Sequence, residues 1–201
     1  MGSSSFRERL IQIKQQVLSK LKTKKGRGFA FVLIIFLMFV FFVRLPRPLF
    51  DVPYATLIEA QDNRLLDVTI AHDHQWRFPP LDSIPIKFKT ASMLYEDEYF
   101  NYHPGVNPVS LFRALRQNIS SGEIVSGGST ISMQTIRMAL GNKQRTYRQK
   151  LVEILLSLKL ELKYSKKTIF EYYANHAPFG GNIVGLNAAS WRYFSRPPHK
   201  L

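Results

Sequence analysis

Residues 96–105 read E-D-E-Y-F-N-Y-H-P-G: three acids in a row, then aromatics, then a His-Pro-Gly turn. The chain has 201 residues and carries 28 Lys and Arg against 14 Asp and Glu, a formal charge of +14, so a cluster of carboxylates is a marked departure. From about Phe88 the pattern is helical, which predicts a helix over 88–100 closed by Pro104-Gly105. Glu96, Asp97 and Glu98 then stand near a helix C-terminus. Carboxylate charge is disfavoured at that end of the dipole, and a carboxylate held there becomes a better base. A solvated acidic turn fits the same ten residues, and the stretch alone does not choose.

The helical pattern continues downstream. A second helix is expected over 107–120. Gly-Gly-Ser-Thr at 127–130 reads as a helix start with Ser129 or Thr130 as cap, running to about Leu140 and stopped by Gly141. In 145–164, Leu151, Leu155, Leu158 and Leu162 form one apolar stripe, and Gln149, Glu153, Ser157 and Glu161 a more polar one. A further helix covers about 166–175, followed by the glycine-rich P-F-G-G-N-I-V-G-L-N. Upstream, Y-A-T-L-I-E-A and R-L-L-D-V-T-I flank the turn-prone Q-D-N, which predicts a hairpin. Pro79, Pro80 and Pro85 mark a linker into the helical part. H-D-H at 72–74 lacks a third ligand nearby and reads as a surface loop.

The positive charge is concentrated at the N-terminus: residues 1–50 hold 10 basic and 1 acidic residue, and 51–201 hold 18 and 13. Residues 29–43, F-A-F-V-L-I-I-F-L-M-F-V-F-F-V, are apolar without a break. Such a stretch makes roughly 22 Å of helix against a hydrocarbon core of ~30 Å, and Gly28 and Leu45 extend it. Arg27 and Arg44 can snorkel to the two interfaces. No small-x-small cleavage pattern follows, and no polar face is visible, so a spanning signal-anchor over 29–45 is the reading. Eight cations from Arg7 to Arg27 precede it, which predicts a cytoplasmic basic arm over 1–28 and an outer location for the rest. Phe6, Leu10, Ile13, Val17 and Leu21 give that arm an amphipathic spacing suited to anionic lipid, and a disordered basic tail fits as well. No nucleic-acid partner is expected, since the adjacent span explains the charge. There are no cysteines, which excludes disulfides and thiolate metal sites.

Three further groupings could carry chemistry. G-G-S-T-I-S-M-Q at 127–134 offers backbone N–H groups at a helix start, which binds anions and is equally an ordinary capped turn. Arg137, Arg145, Arg148 and Lys150 could gather around a diphosphate or form a solvated basic face. Glu153 sits among leucines with cations nearby, either as a buried ion-pair partner or as a second active-site carboxylate.

In order, E-D-x-x-F-x-x-H-x-G (Glu96–Gly105), G-G-S-T-I-x-x-Q (Gly127–Gln134), K-x-x-E (Lys150–Glu153), S-K-x-x-I-x-E-x-Y-x-N (Ser165–Asn175) and the Gly181–Phe194 stretch resemble the motif set of glycosyltransferase family 51. This is the peptidoglycan glycosyltransferase domain of class A penicillin-binding proteins, and A-P-F-G-G-N-I with A-A-S-W is most similar to the 1C type. The resemblance covers about residues 50–199. It implies a mainly α, lysozyme-like glycosyltransferase lobe with a small β annex and one N-terminal transmembrane helix. It implies polymerisation of lipid II into β-1,4-linked glycan with release of undecaprenyl diphosphate at the outer face of the bacterial cytoplasmic membrane. By the same resemblance Glu96 is the general base and Glu153 the second catalytic glutamate. Substrate contacts are implied for Asp97, Phe100, His103, Gly127, Gly128, Ser129, Thr130, Gln134, Arg137, Arg145, Lys150 and Asn175. No cofactor is required by the sequence; a divalent cation, Mg or Mn, at the diphosphate with Glu153 as ligand is left open. The implied partners are lipid II, the growing lipid-linked glycan, the membrane and other cell-wall synthesis proteins.

Three departures from the family pattern stand out. Gln149 replaces the usual Arg before Lys150, with Arg148 one position earlier. Asn107 stands where an Asp is usual. The sequence stops at Leu201, where family members continue, and no transpeptidase motif pair is present; Ser19-x-x-Lys22 has no K-T-G partner. The expected organisation is a basic arm (1–28), anchor (29–45), linker and hairpin (46–87) and helical domain (88–201) left incomplete at its C-terminus. The alternative function is a catalytically inactive member that binds lipid II or cell-wall partners. A muramidase is disfavoured, because a hydrolase has no use for cations at a lipid diphosphate.

Overall fold

The helices begin where short polar side chains can cap them. Pro85 precedes α1 (Ile86–Glu96). Asn107 opens α2 (Pro108–Ser121), its side chain accepting from the Ser110 N–H at 3.1 Å, with Pro108 at N1, where no N–H is needed. Thr130 caps α3 (Ile131–Ala139), Thr146 caps α4 (Tyr147–Lys163) and Ser165 caps α5 (Lys166–His176), each accepting from the N–H three residues on. Gly185 leads into α6 (Leu186–Phe194), which the glycine-rich reading of the sequence did not foresee. The computed structural model describes residues 44–201 apart from 63, 124, 126 and 143–145, together with Thr23, Arg27, Gly28, Phe31 and Met38. Arg145 and nearly all of the expected arm and anchor (1–28 and 29–45) lie outside the described residues. Among those described, no helix is long and apolar enough to cross a membrane.

Residues 45–201 form one mainly helical unit with few strands. Its centre is α3, which is buried at Ile131, Ser132, Met133, Thr135 and Ile136 and packs against α4 and α5. Leu155, Leu156 and Leu160 of α4, Ile169 and Phe170 of α5, and Phe100 fill the space around it. The sequence pattern misleads on α4. Leu151 and Leu162 of the leucine stripe are exposed, whereas Glu153 and Ser157 of the polar stripe are buried. Those polar groups turn inward because partners meet them. Ser157 bonds the Ile154 carbonyl, and Glu161 accepts from Ser132 at 2.5 Å and from Lys166 at 2.7 Å. Burial of a polar group costs little once it is satisfied.

The expected hairpin is present: β1 (Thr56–Glu59) pairs antiparallel with β2 (Leu65–Thr69), with an irregularity between Ile58 and Glu59. A second ladder was not legible. β3 (Trp76–Arg77) pairs in parallel with β4 (Ile183–Val184), more than a hundred residues away. Ala55, Phe78, Ile183, Ala188 and Ala189 form a core there, covered by Leu57, Leu65, Val68, Trp76, Phe179 and Trp191. Leu81 exchanges two hydrogen bonds with the Asn175 side chain, at 2.9 and 3.3 Å. The stretch read as a linker is thus bound into the helical unit at both its strands and its prolines.

The approach to β1 lies on α5. The rings of Phe50 and His176 stack with centroids 3.5 Å apart. His176 Nδ1 donates to the Tyr172 carbonyl at 2.9 Å, which leaves Nε2 as the acceptor facing the Tyr54 hydroxyl at 3.5 Å. Burial pushes the His176 imidazole down to about 4, with the Arg77 charge adding to it and the Tyr172 bond opposing. The folded value lies below the unfolded one near 6.5, so the unfolded chain binds the extra proton in between. Stability is therefore full above that range and is lost as pH falls towards 4. The expected loss is about 3 kcal/mol, read from urea unfolding at pH 7 and pH 4, and His176→Phe should flatten the dependence.

Candidate active site

Glu96 is the last residue of α1, and Asp97 is its C-cap. The helix ends earlier than the predicted residue 100 because the Asp97 carboxylate turns inward. One of its oxygens accepts from the Ile131 N–H at 3.0 Å, and both lie within 3.0 Å of His103 Nε2. The Gly105 N–H donates to His103 Nδ1 at 3.2 Å, so the ring accepts there and donates from Nε2. A buried carboxylate thus receives one side-chain and one backbone donor, the latter at the positive end of the α3 dipole. The 103–105 turn is held from below as well. Lys166 donates to the His103 carbonyl at 2.7 Å and lies 4.4 Å from the Phe100 ring centre. Thr130 Oγ1 donates to the Gly105 carbonyl at 2.6 Å.

This arrangement corrects several expectations. Phe100 is fully buried and contacts Phe170 and His103, so its ring cannot meet a substrate. Asp97 borders the cleft with its oxygens committed to His103 and Ile131, His103 is buried behind it, and Asn175 holds Leu81. The α3 start is not an open anion site either, since the Ile131 N–H goes to Asp97 and the Met133 N–H to Thr130. Asn107, where the family usually carries Asp, caps α2. H-D-H forms a turn in which Asp73 accepts from Arg77 at 2.9 Å.

The remaining residues converge. Glu96, Glu98, Tyr95 and Tyr99 line a cleft of about 240 Å³ together with Arg113 and Gly127–Thr130. Gly128 is there because α2 leaves no room for a side chain: a Cβ would lie 2.9 Å from the Leu111 Cα. Gln134, one turn into α3, donates Nε2 to Glu96 Oε2 at 2.8 Å. On the next turn Arg137 donates to both Glu153 oxygens, at 2.9 and 3.1 Å, and Lys150 reaches the second at 3.4 Å. Both cations also donate to the Ser129 hydroxyl, Lys150 at 2.5 Å and Arg137 at 3.3 Å. The Glu153 bond pushes the Arg137 guanidinium further up, so its charge is permanent. Gln149 leaves its Nε2 buried and unpartnered, and Arg148 is exposed.

Both Glu153 oxygens are taken by Arg137 and Lys150, and among the described residues no three His, Asp or Glu side chains gather. The arrangement pairs a carboxylate at a cleft with two cations held on Ser129 of its lining. That combination suits proton removal from a hydroxyl with charge growing on a nearby anionic leaving group.

A family model described as Transglycosylase matches residues 62–201. Penicillin-binding protein 1C of Escherichia coli (strain K12) is 40% identical over 157 residues, covering 78% of this chain and 20% of that protein. A biosynthetic peptidoglycan transglycosylase of Pasteurella multocida (strain Pm70) is 32% identical over 186 residues, covering 92% of this chain and 74% of that protein. Penicillin-binding protein 1A of Aquifex aeolicus (strain VF5) is 37% identical over 116 residues, 16% of its length. The chain thus spans about a fifth or less of the two penicillin-binding relatives and about three quarters of the transglycosylase.

Removing the Asp97 carboxylate strands the His103 and Ile131 donors in the interior. Asp97→Ala is expected to cost about 3–5 kcal/mol in urea unfolding, whereas Glu98→Ala, exposed one residue later, should stay within about 0.5 kcal/mol.

Proposed function

The chain belongs to the transglycosylase family, and from that membership we propose that it is a peptidoglycan glycosyltransferase that polymerises lipid II. The observation carrying this reading is that Glu96 and Ser129 line one cleft while Arg137 and Lys150 both donate to Ser129. Glu96 takes the proton from the acceptor sugar hydroxyl of lipid II. That oxygen forms the new bond to the anomeric carbon of the growing chain as the bond to undecaprenyl diphosphate breaks, inverting the carbon to a β-1,4 link. Arg137 and Lys150 stabilise the charge arriving on the diphosphate, and Glu153 and Ser129 keep them aimed before the substrate binds. Preorganised donors cost no rearrangement at the moment of reaction.

The lysozyme-like lobe and the membrane location belong to this reading too. Residues 29–45 anchor the chain, so that enzyme and lipid substrate share one bilayer. The described part supplies a second support. Val109, Phe112, Leu115 and Ile119 of α2 are exposed beside Arg113 and Arg116, an apolar face with flanking cations suited to an anionic bilayer surface.

The test is polymerisation of labelled lipid II by the full chain in detergent. Wild type should make long glycan and Glu96→Gln none, and Arg137→Ala should lose about 10²–10³-fold in kcat. Binding of lipid II without turnover by wild type would instead point to an inactive, binding-only member.

A further inference from the structure

Glu96 and Asp97 are adjacent at the end of α1, and α3 grips both. Asp97 takes the Ile131 N–H, and Glu96 Oε2 takes the Gln134 amide three residues later on the same helix face. Arg137, three residues further, opens the cation cluster. Among the described residues Glu96 Oε1 receives no hydrogen bond. We infer that Gln134 is a positioning residue for the base: its amide pins Oε2 and leaves Oε1 as the oxygen that takes the acceptor's proton. This rests on Glu96 being the base, as proposed above.

The chemistry of the side chain suits the task. A carboxylate that no neighbour restrains presents either oxygen and rotates between them. A carboxamide donor fixes it, carries no charge that would upset the site, and has no basic lone pair to compete for the proton. The other charged and titratable groups at the cleft are Tyr95, Asp97, Glu98, Tyr99 and Arg113, and Tyr173 of α5 feels Glu96 directly. Burial first, and then the Glu96 charge, push the Tyr173 phenol up, so it stays protonated throughout the working range. A substrate-contact role for Gln134, which the family resemblance implies, makes a different prediction: loss of the amide would weaken binding and leave the base untouched.

The experiment uses the full chain in detergent as wild type, Gln134→Leu and Gln134→Glu, each checked for native circular dichroism. Gln134→Leu should lower kcat roughly 10–100-fold with KM for lipid II within about threefold, as expected for a misaligned catalytic group. Gln134→Glu, which keeps the shape but replaces the donor with a second carboxylate, should lower kcat at least as far, with KM again little changed. A raised KM with kcat unchanged overturns the inference. A second readout needs no turnover: the Glu96 carboxyl carbon resonance in glutamate-labelled protein, assigned through Glu96→Gln. A displaced or broadened resonance in Gln134→Leu, compared with wild type at one pH, supports the inference, and an unchanged one overturns it, whether or not the chain polymerises. Failure of wild type to make glycan defeats the proposed function alone.

Discussion

One buried carboxylate organises this molecule. Asp97 ends α1, starts α3 and locks the turn at His103, three tasks performed by two oxygens. A charge in that position is tolerable only because a side-chain donor and a helix N-terminus meet it there. The consequence is geometric. With α1 and α3 joined at Asp97 and Ile131, the neighbouring Glu96 has nowhere to lie but along α3, within reach of Gln134. Glu96 is held by the residue that follows it.

The same economy recurs on α4, where Glu153 and Glu161 bind cations from different elements. Glu153 draws Arg137 of α3 and Lys150 of its own helix to one side, and Glu161 draws Ser132 of α3 and Lys166 of α5 to the other. Buried ion pairs of this kind are weak evidence for stability, because desolvation offsets most of the attraction. Their value here is in fixing direction. Glu153 holds two cations that would otherwise repel each other, so their charge is assembled in advance.

The parts legible in the sequence were those governed by neighbours along the chain. The cap at Thr130, the hairpin around Q-D-N and the general course of five helices follow from local hydrogen bonding and periodicity. The parts that were not legible depend on contacts between distant segments. Two-residue strands such as β3 and β4 carry no periodic signal, and Asn175 gives no hint that its partner is Leu81. The face of α4 was misread because a stripe of Glu and Ser looks solvated until its partners are known. In the site, motif order brought Glu96, Ser129, Arg137, Lys150 and Glu153 to attention together. It could not separate residues free to face the cleft from Phe100 and His103, which lie behind it, or from Asp97, which borders it with its oxygens already committed to His103 and Ile131.

The account depends on the Asp97 bond to the Ile131 amide being a persistent constraint, and amide hydrogen exchange reads that bond directly. The Ile131 amide should exchange as slowly as the central amides of α5 in the wild-type chain, and Asp97→Asn should speed it by about a hundredfold while those α5 amides keep their protection. Fast exchange at Ile131 in wild type, or exchange unchanged by Asp97→Asn, would contradict the claim that this carboxylate joins the two helices and so places Glu96.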